Sequence, residues 1–159
     1  MLTLRPTTAD DIPHVVAMET APDTHEWLCA TGRAWHEKAL ADPAQEHLLA
    51  VEGSTIVGFV VLADLHNAER VIEIRRIVVD PASRGKGHGR SLLRAAVERA
   101  YGHHHARRVW LDVKPHNHRA RALYESEGFR ADETVRHMVR AQDGTMSERV
   151  VMTHTPGRH

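Results

Sequence analysis

The spacing of apolar residues changes along this chain, and each change predicts an element. Leu2-Thr-Leu-Arg5 alternates as a short strand. Thr8 and Asp11, three apart, read as the acidic variant of a capping box. They open a helix that turns Ile12, Val15, Val16 and Met18 inward. Residues 23–42 scatter Trp27, Trp35 and Leu40 among polar groups and read as helix, or helix plus loop. His47 to Glu52 and Thr55 to Ala63 read as strands joined by a tight hairpin at Gly53-Ser54. A loop around His66-Asn67 then leads to a long apolar strand, Val71 to Val79.

After Asp80-Pro81 the period lengthens. Leu92, Leu93, Ala96, Val97 and Ala100 mark one apolar face of a helix, with Gly102 placed to end it. Residues 107–113 alternate as a strand. Asn117 opens a helix carrying Ala120, Leu123 and Tyr124, stopped by Gly128. Phe129 to Arg140 and Ser147 to His154 close as a hairpin through Asp143-Gly144. The order is strand, helices, three-strand meander, helix, strand, helix, hairpin. It predicts a mixed α/β fold with helices on both faces of one sheet. No repeat or linker interrupts it, so residues 1–159 read as a single domain.

Composition narrows the class. Lysine plus arginine equals aspartate plus glutamate at 21 each, which argues against a nucleic-acid partner. No apolar run is long enough for a bilayer, and the polar start lacks a signal-peptide core, so the expected location is cytoplasmic. Cys29 is the only cysteine, which excludes an internal disulfide and fits a reducing compartment. Fourteen histidines are many for this length, and compositional bias accounts for them. The run His103-His104-His105 falls between a helix and a strand and reads as a solvated loop where metal binding would be adventitious. No structural metal site is expected.

The stretch Arg84-Gly85-Lys86-Gly87-His88-Gly89-Arg90 lies directly between a strand and a helix. Alternate glycines let the backbone approach a ligand, and the helix start aims N–H groups and a positive dipole end at whatever lies there. A diphosphate suits that position, helped by Arg84, Lys86 and Arg90; a tight strand-to-helix turn would use the same glycines. The spacing is neither that of a dinucleotide fold, which also needs a ribose-binding carboxylate, nor that of a Walker loop.

Two motifs carry a family resemblance. Val79-Asp-Pro-Ala-Ser-Arg-Gly-Lys-Gly-His-Gly89 resembles the acetyl-CoA motif Gln/Arg-x-x-Gly-x-Gly/Ala of the GNAT superfamily of N-acetyltransferases. Asn117-His-Arg-Ala-Arg-Ala-Leu-Tyr-Glu-Ser-Glu-Gly-Phe129 is similar to its Asn-x-x-Ala-x-x-Leu-Tyr-x-x-x-Gly-Phe element. The resemblance covers the chain except for a loose fit over residues 20–45. It implies a mostly antiparallel sheet of about seven strands, splayed beside the strand that precedes the glycine loop. It also implies acetyl-CoA as acyl donor. The pantetheine would pair with the backbone of Ile77, Val78 and Val79. The pyrophosphate would rest on Arg84, Gly85, Lys86, Gly87, His88 and Gly89, with Arg90 and Ser91 just inside the helix. Asn117, Ala120 and Tyr124 would complete the cofactor contacts.

The implied reaction is acetyl transfer to a primary amine of a small molecule or of a peptide or protein N-terminus. By resemblance, Tyr124 protonates the departing thiolate and Glu73 accepts the amine proton. Packing for Tyr124 and a salt bridge to Arg75 for Glu73 are the competing roles. Alternation along Ile72-Glu-Ile-Arg-Arg-Ile77 would put Glu73 on one face with Arg75 and Ile77. Asp112 is an outside choice as base or substrate anchor, and Glu125 and Glu127 read as solvated. Trp27, Trp35 and His36 fall where acceptors bind in the family, although core packing also explains the tryptophans. A non-catalytic acyl-CoA sensor is the alternative, and pairing of two copies as a homodimer is left open.

Overall fold

The computed structural model describes residues 1–21, 31–140 and 144–156, with side chains at 133–136 excepted. Trp27, Cys29 and Asp143 therefore lie outside the described residues. Seven strands form one sheet: β1 (Leu2–Pro6), β2 (Glu46–Glu52), β3 (Thr55–Ala63), β4 (Val71–Val79), β5 (Arg108–Val113), β6 (Arg130–Arg140) and β7 (Met146–His154). Their spatial order is β1-β2-β3-β4-β5-β7-β6. Among the described residues four α-helices accompany them: α1 (Ile12–Thr20), α2 (Gly32–Ala41), α3 (His88–Gly102) and α4 (His118–Ser126). Among the described residues the expected element order holds; of the stretch 23–42, Gly32–Ala41 is helical and residues 23–30 lie outside the described residues. No described helix is long and apolar enough to cross a membrane.

The capping box before α1 forms as its residue types require. The Thr8 N–H donates to Asp11 Oδ2 at 2.8 Å, and Arg5 pairs with the same carboxylate at 3.1 Å. Ile12, Val15 and Met18 are buried, whereas Val16 is only half-buried. The fourth inward position belongs to Glu19, which is 1% exposed. Helix α3 ends at Gly102, but the left-handed residue that turns the chain away is His105, with φ 58°.

Each sheet face has its own core. Towards α3 and α4 lie Leu48, Val60, Leu62, Ile72, Ile74, Leu92, Leu93, Ala96, Leu111, Phe129 and Met152. Towards α1 and α2 lie Val15, Met18, Leu49, Phe59, Val61 and Val78, with Trp35 packed on them. Trp35 thus serves packing.

Two irregularities of β4 position the site. The first is a bulge. Val61 pairs with Arg76 but Leu62 with Ile74, so Arg75 is an extra residue in the ladder. The bulge inverts the alternation. Ile72 and Ile74 face α3 before it, Ile77 and Val79 do so after it, and Val78 turns to the α1 side. The expected sharing of a face by Glu73 and Ile77 is therefore corrected: Glu73 shares its face with Arg76 and Val78. The second irregularity is a short pairing. β4 and β5 run parallel and pair only over Val71–Glu73 with Arg108–Trp110. β5 continues against β7 up to Val113, and β4 against β3 up to Val79. From Ile74 onward the two strands separate, and the sheet opens there.

Candidate active site at the splay between two parallel strands

The opening has three walls: the free edge of β4 from Ile74 to Val79, the end of β5, and helix α4. At its mouth β4 leads through a short 3-10 turn, Pro81–Ser83, into the glycine loop. Asp80 fixes this turn by accepting the Ala82 N–H at 3.1 Å, and its second oxygen lies 2.8 Å from His14 Nε2. Gly85 and Gly87 have φ near 80°, a left-handed conformation that disfavours a Cβ. A Cβ at either position would meet no protein atom within 4 Å, so the loop borders open space. Gly87 caps α3, whose first-turn N–H groups face that space. This is a cradle fit for a diphosphate: open, lined by backbone donors, with exposed Lys86 and half-buried Arg84 beside it.

Arg90 departs from the expected pattern. Its guanidinium donates to Ser126 Oγ at 2.9 Å and pairs with Glu127. Arg94 reaches the same carboxylate at 2.6 Å. Glu127 is therefore an ion-paired clasp between α3 and α4, and its acid is held below the usual carboxylate range by bonds from Arg94 and Arg90 acting against burial. Its reading as a solvated carboxylate is corrected, while Glu125 is exposed as expected. Asn117 also carries a local duty: its Oδ1 accepts the Ala120 N–H at 3.2 Å, capping α4. Its side-chain amide N–H groups are left to other partners.

Glu73 is 9% exposed at the last β4–β5 pair, where the strands part. Arg75, the bulge residue, donates to its Oε1 from Nε at 3.0 Å and lies within 2.9 Å through Nη2. The bulge thus brings Arg75 onto its near neighbour. Burial raises the Glu73 pKa and Arg75 opposes that, with Asp112 adding to the rise. Asp112 faces the same side from β5. Burial also raises its pKa, opposed by His137, Arg149 and Arg76, with His137 Nε2 3.2 Å from its carboxylate. Two carboxylates, each with its pKa raised by burial, therefore stand near one another at the fork of the sheet. Tyr124 on α4 packs against Phe129, its hydroxyl pKa pushed up to about 12 by burial and then by Asp112. A phenol so placed stays protonated and can only donate to an anion.

A buried polar chain that the sequence reading did not assemble backs the site on the α1 side. Thr7 Oγ1 lies 2.8 Å from His47 Nδ1, His47 Nε2 lies 2.9 Å from His36 Nδ1, and His36 Nε2 lies 2.5 Å from Glu19 Oε1. The contacts run in series from Thr7 through His47 and His36 to the Glu19 carboxylate, which accepts. Arg76 ends the chain with its Nε 3.1 Å from Glu19 and its guanidinium over Trp35 at 5.8 Å. A signal existed: Glu19 follows Ile12 and Val15 by seven and four, on the inward stripe of α1. His47 likewise alternates with buried Leu49. A separate open cavity of about 720 Å³ is lined by Arg94, Ser126, Glu127, Arg130 and His154. It holds neither Tyr124 nor Glu73.

Comparison with known proteins follows this geometry. The profile of the acetyltransferase (GNAT) family matches residues 12–129. The chain is 38% identical over 93 residues to the N-alpha-acetyltransferase RimI of Mycobacterium tuberculosis, covering 58% of this chain and 56% of that one, little more than half its length. It is 29% identical over 124 residues to a putative [ribosomal protein bS18]-alanine N-acetyltransferase of Bacillus subtilis, covering 76% and 75%. Among solved structures, a spermidine N-acetyltransferase SpeG chimera from Vibrio cholerae and hSSAT superposes with TM-score 0.78 at 21% identity, covering 97% of this chain and 95% of that one. AAC(6')-Ib in complex with paromomycin and acetyl-CoA gives 0.76 at 22%, covering 98% and 93%.

Proposed function

The chain belongs to the acetyltransferase (GNAT) family, and we propose that it works as a single-domain, acetyl-CoA-dependent N-acetyltransferase of the cytoplasm. The observation that carries this reading is the parting of β4 from β5 directly ahead of the glycine loop. It leaves a strand edge for the amides of a pantetheine arm and, at the end of that edge, a helix start for a pyrophosphate. The acceptor is a primary amine, of a small molecule or of a peptide N-terminus, as in the relatives named above.

Ile77, Val78 and Val79 offer the free edge; Arg84 to Gly89 and Ser91 surround the diphosphate. Arg90 contributes through its backbone and by clasping α4. Asn117 and Ala120 bring α4 to the thioester end. Transfer needs a neutral amine, a polarised carbonyl and a proton for the leaving sulfur. A lysine-type ammonium, with pKa ~10.4, must lose a proton first, whereas an α-amine near ~8 needs less help. Glu73 accepts that proton, directly or through water. Its raised pKa makes it a better base than an exposed carboxylate, and its pair with Arg75 holds it in place. Tyr124 protonates the sulfur. Asp112, across the fork, adds negative charge where a cationic acceptor arrives.

The test is a thiol-release screen with acetyl-CoA across polyamines, aminoglycosides, amino acids and N-terminal peptides, run beside thermal melts. Acetyl-CoA at a hundred times its dissociation constant adds about 2.7 kcal/mol, a clear melting shift. A shift with ATP or NAD and none with acetyl-CoA would overturn the reading. A shift without turnover on any amine would point to an acyl-CoA sensor.

A further inference from the structure

Three ligating side chains meet at the end of α3 opposite the glycine loop, about 20 Å away along a 15-residue helix. Glu46 begins β2, and His103 and His104 follow the last residue of α3. One ligand atom from each lies within 4.8 Å of the others. His104 Nε2 is 2.8 Å from Glu46 Oε1, and the two imidazole rings meet edge to face with centroids 4.7 Å apart. The sequence placed the histidines in a solvated loop; the fold adds a carboxylate from a distant strand.

We propose that Glu46, His103 and His104 form a binding site for a divalent transition-metal ion of the zinc type. Two imidazoles and one carboxylate favour zinc, nickel or copper over magnesium or calcium, which take oxygen ligands. Metal bonds of about 2.0–2.2 Å need ligand atoms roughly 3–3.5 Å apart, so a modest rotation of exposed His103 closes the set. His104 Nε2 binds with the ring hydrogen carried on Nδ1. Arg99 holds both Glu46 oxygens, at 2.7 and 2.5 Å, and so orients the carboxylate as outer partners of metal ligands do. Arg99 also opposes the ion by its charge, whereas the negative end of the α3 dipole favours it. Waters would complete the open side. A bound ion would clip the start of β2 to the end of α3 without touching the acetyl-CoA cradle.

The experiment is calorimetric titration of the untagged full chain with zinc sulfate, paralleled by cobalt(II) absorption and by melts. One-to-one binding with a raised Tm is expected, weakened tenfold or more in His103→Gln, His104→Gln and Glu46→Gln. His116→Gln and His118→Gln should leave it unchanged, and magnesium should not compete. Should Glu46→Gln fail to fold, Glu46→Asp keeps the charge with a shorter reach and should also weaken binding tenfold. Affinity indifferent to His103 and His104 would overturn the proposal. So would affinity that depends on the histidines but survives the change at Glu46, since that is a bare histidine pair. None of these readouts uses acetyl transfer, so the site and the proposed enzyme activity stand or fall separately.

Discussion

Towards α3 and α4 the sheet offers aliphatic side chains, and the chemistry at its edge is done by backbone: a free strand, two left-handed glycines and a helix start. Towards α1 and α2 a compact apolar cluster surrounds Thr7, His47, His36, Glu19 and Arg76, five polar side chains drawn from separate parts of the chain. The proposed cofactor edge on the first face rests on atoms every residue has, so glycine placement is its signature. The second is held by side chains that meet only after folding. Substitutions should therefore act differently on the two faces, through chemistry and cofactor on one and through stability on the other.

The largest expected effect is at the fork where the faces meet. Tyr124→Phe keeps the ring packed on Phe129 and removes only the proton donor. Turnover should fall about 10²–10⁴-fold with acetyl-CoA affinity unchanged, read from steady-state rates and cofactor melts. An unchanged rate would return Tyr124 to packing. Glu73→Gln should lower the kcat/KM plateau or move its acid limb upward; if both stay put, the amine arrives neutral and the Arg75 pair is the whole role of Glu73.

Next is Glu19→Ala, which removes the carboxylate that Arg76 and His36 share on the α1–α2 side. Removing one partner of a buried ion pair costs about 3–5 kcal/mol, to be read from denaturant midpoints. On the other face, Leu92→Ala should cost a comparable 2–5 kcal/mol through a cavity alone.

His47 sharpens that contrast. Burial, then the neighbouring His36, lowers its pKa to about 4. The unfolded chain, with imidazole near ~6.5, takes up this proton first. Stability should be level above that value and fall as pH drops from about 6.5 to about 4, by an amount of the order of 3 kcal/mol. Asp11, held at about 2 by its bond from Arg5, loses its contribution only below about 3.8, a separate window. Denaturation at pH 7.5, 6 and 5 measures the His47 slope, and His47→Gln should flatten it. A slope that persists would place the titration elsewhere.

How far the sequence foretold this molecule follows the same division. Val71 to Val79, the α3 stripe and the Asn117 cap were legible because each rests on local periodicity or a local hydrogen bond. The glycine loop was legible because its backbone requires glycine. The bulge at Arg75 was not, since one extra residue in a ladder leaves no periodic mark when its neighbours are Arg and Ile. The Glu127 clasp and the Glu19–His36–His47 chain were missed because their partners lie from 11 to 37 residues apart in sequence.

The smallest expected change in stability is also the most selective test of the cofactor face. Gly87 has φ 79° and ψ 7°, and a Cβ there would touch nothing in the protein. Its glycine has two separable reasons: the left-handed backbone, or room for a ligand against the helix start. Ala costs about 1–2 kcal/mol in this conformation and mixes the two. Asn tolerates left-handed geometry and is a good helix N-cap, so Gly87→Asn should change stability by only a few tenths of a kcal/mol. Its side chain would nevertheless project into the space assigned to the diphosphate. If that space is where acetyl-CoA binds, the variant should melt like the parent without ligand and lose most of the ligand-induced shift. A full shift with Gly87→Asn would mean that glycine serves the turn alone, and the diphosphate would have to bind elsewhere along the loop.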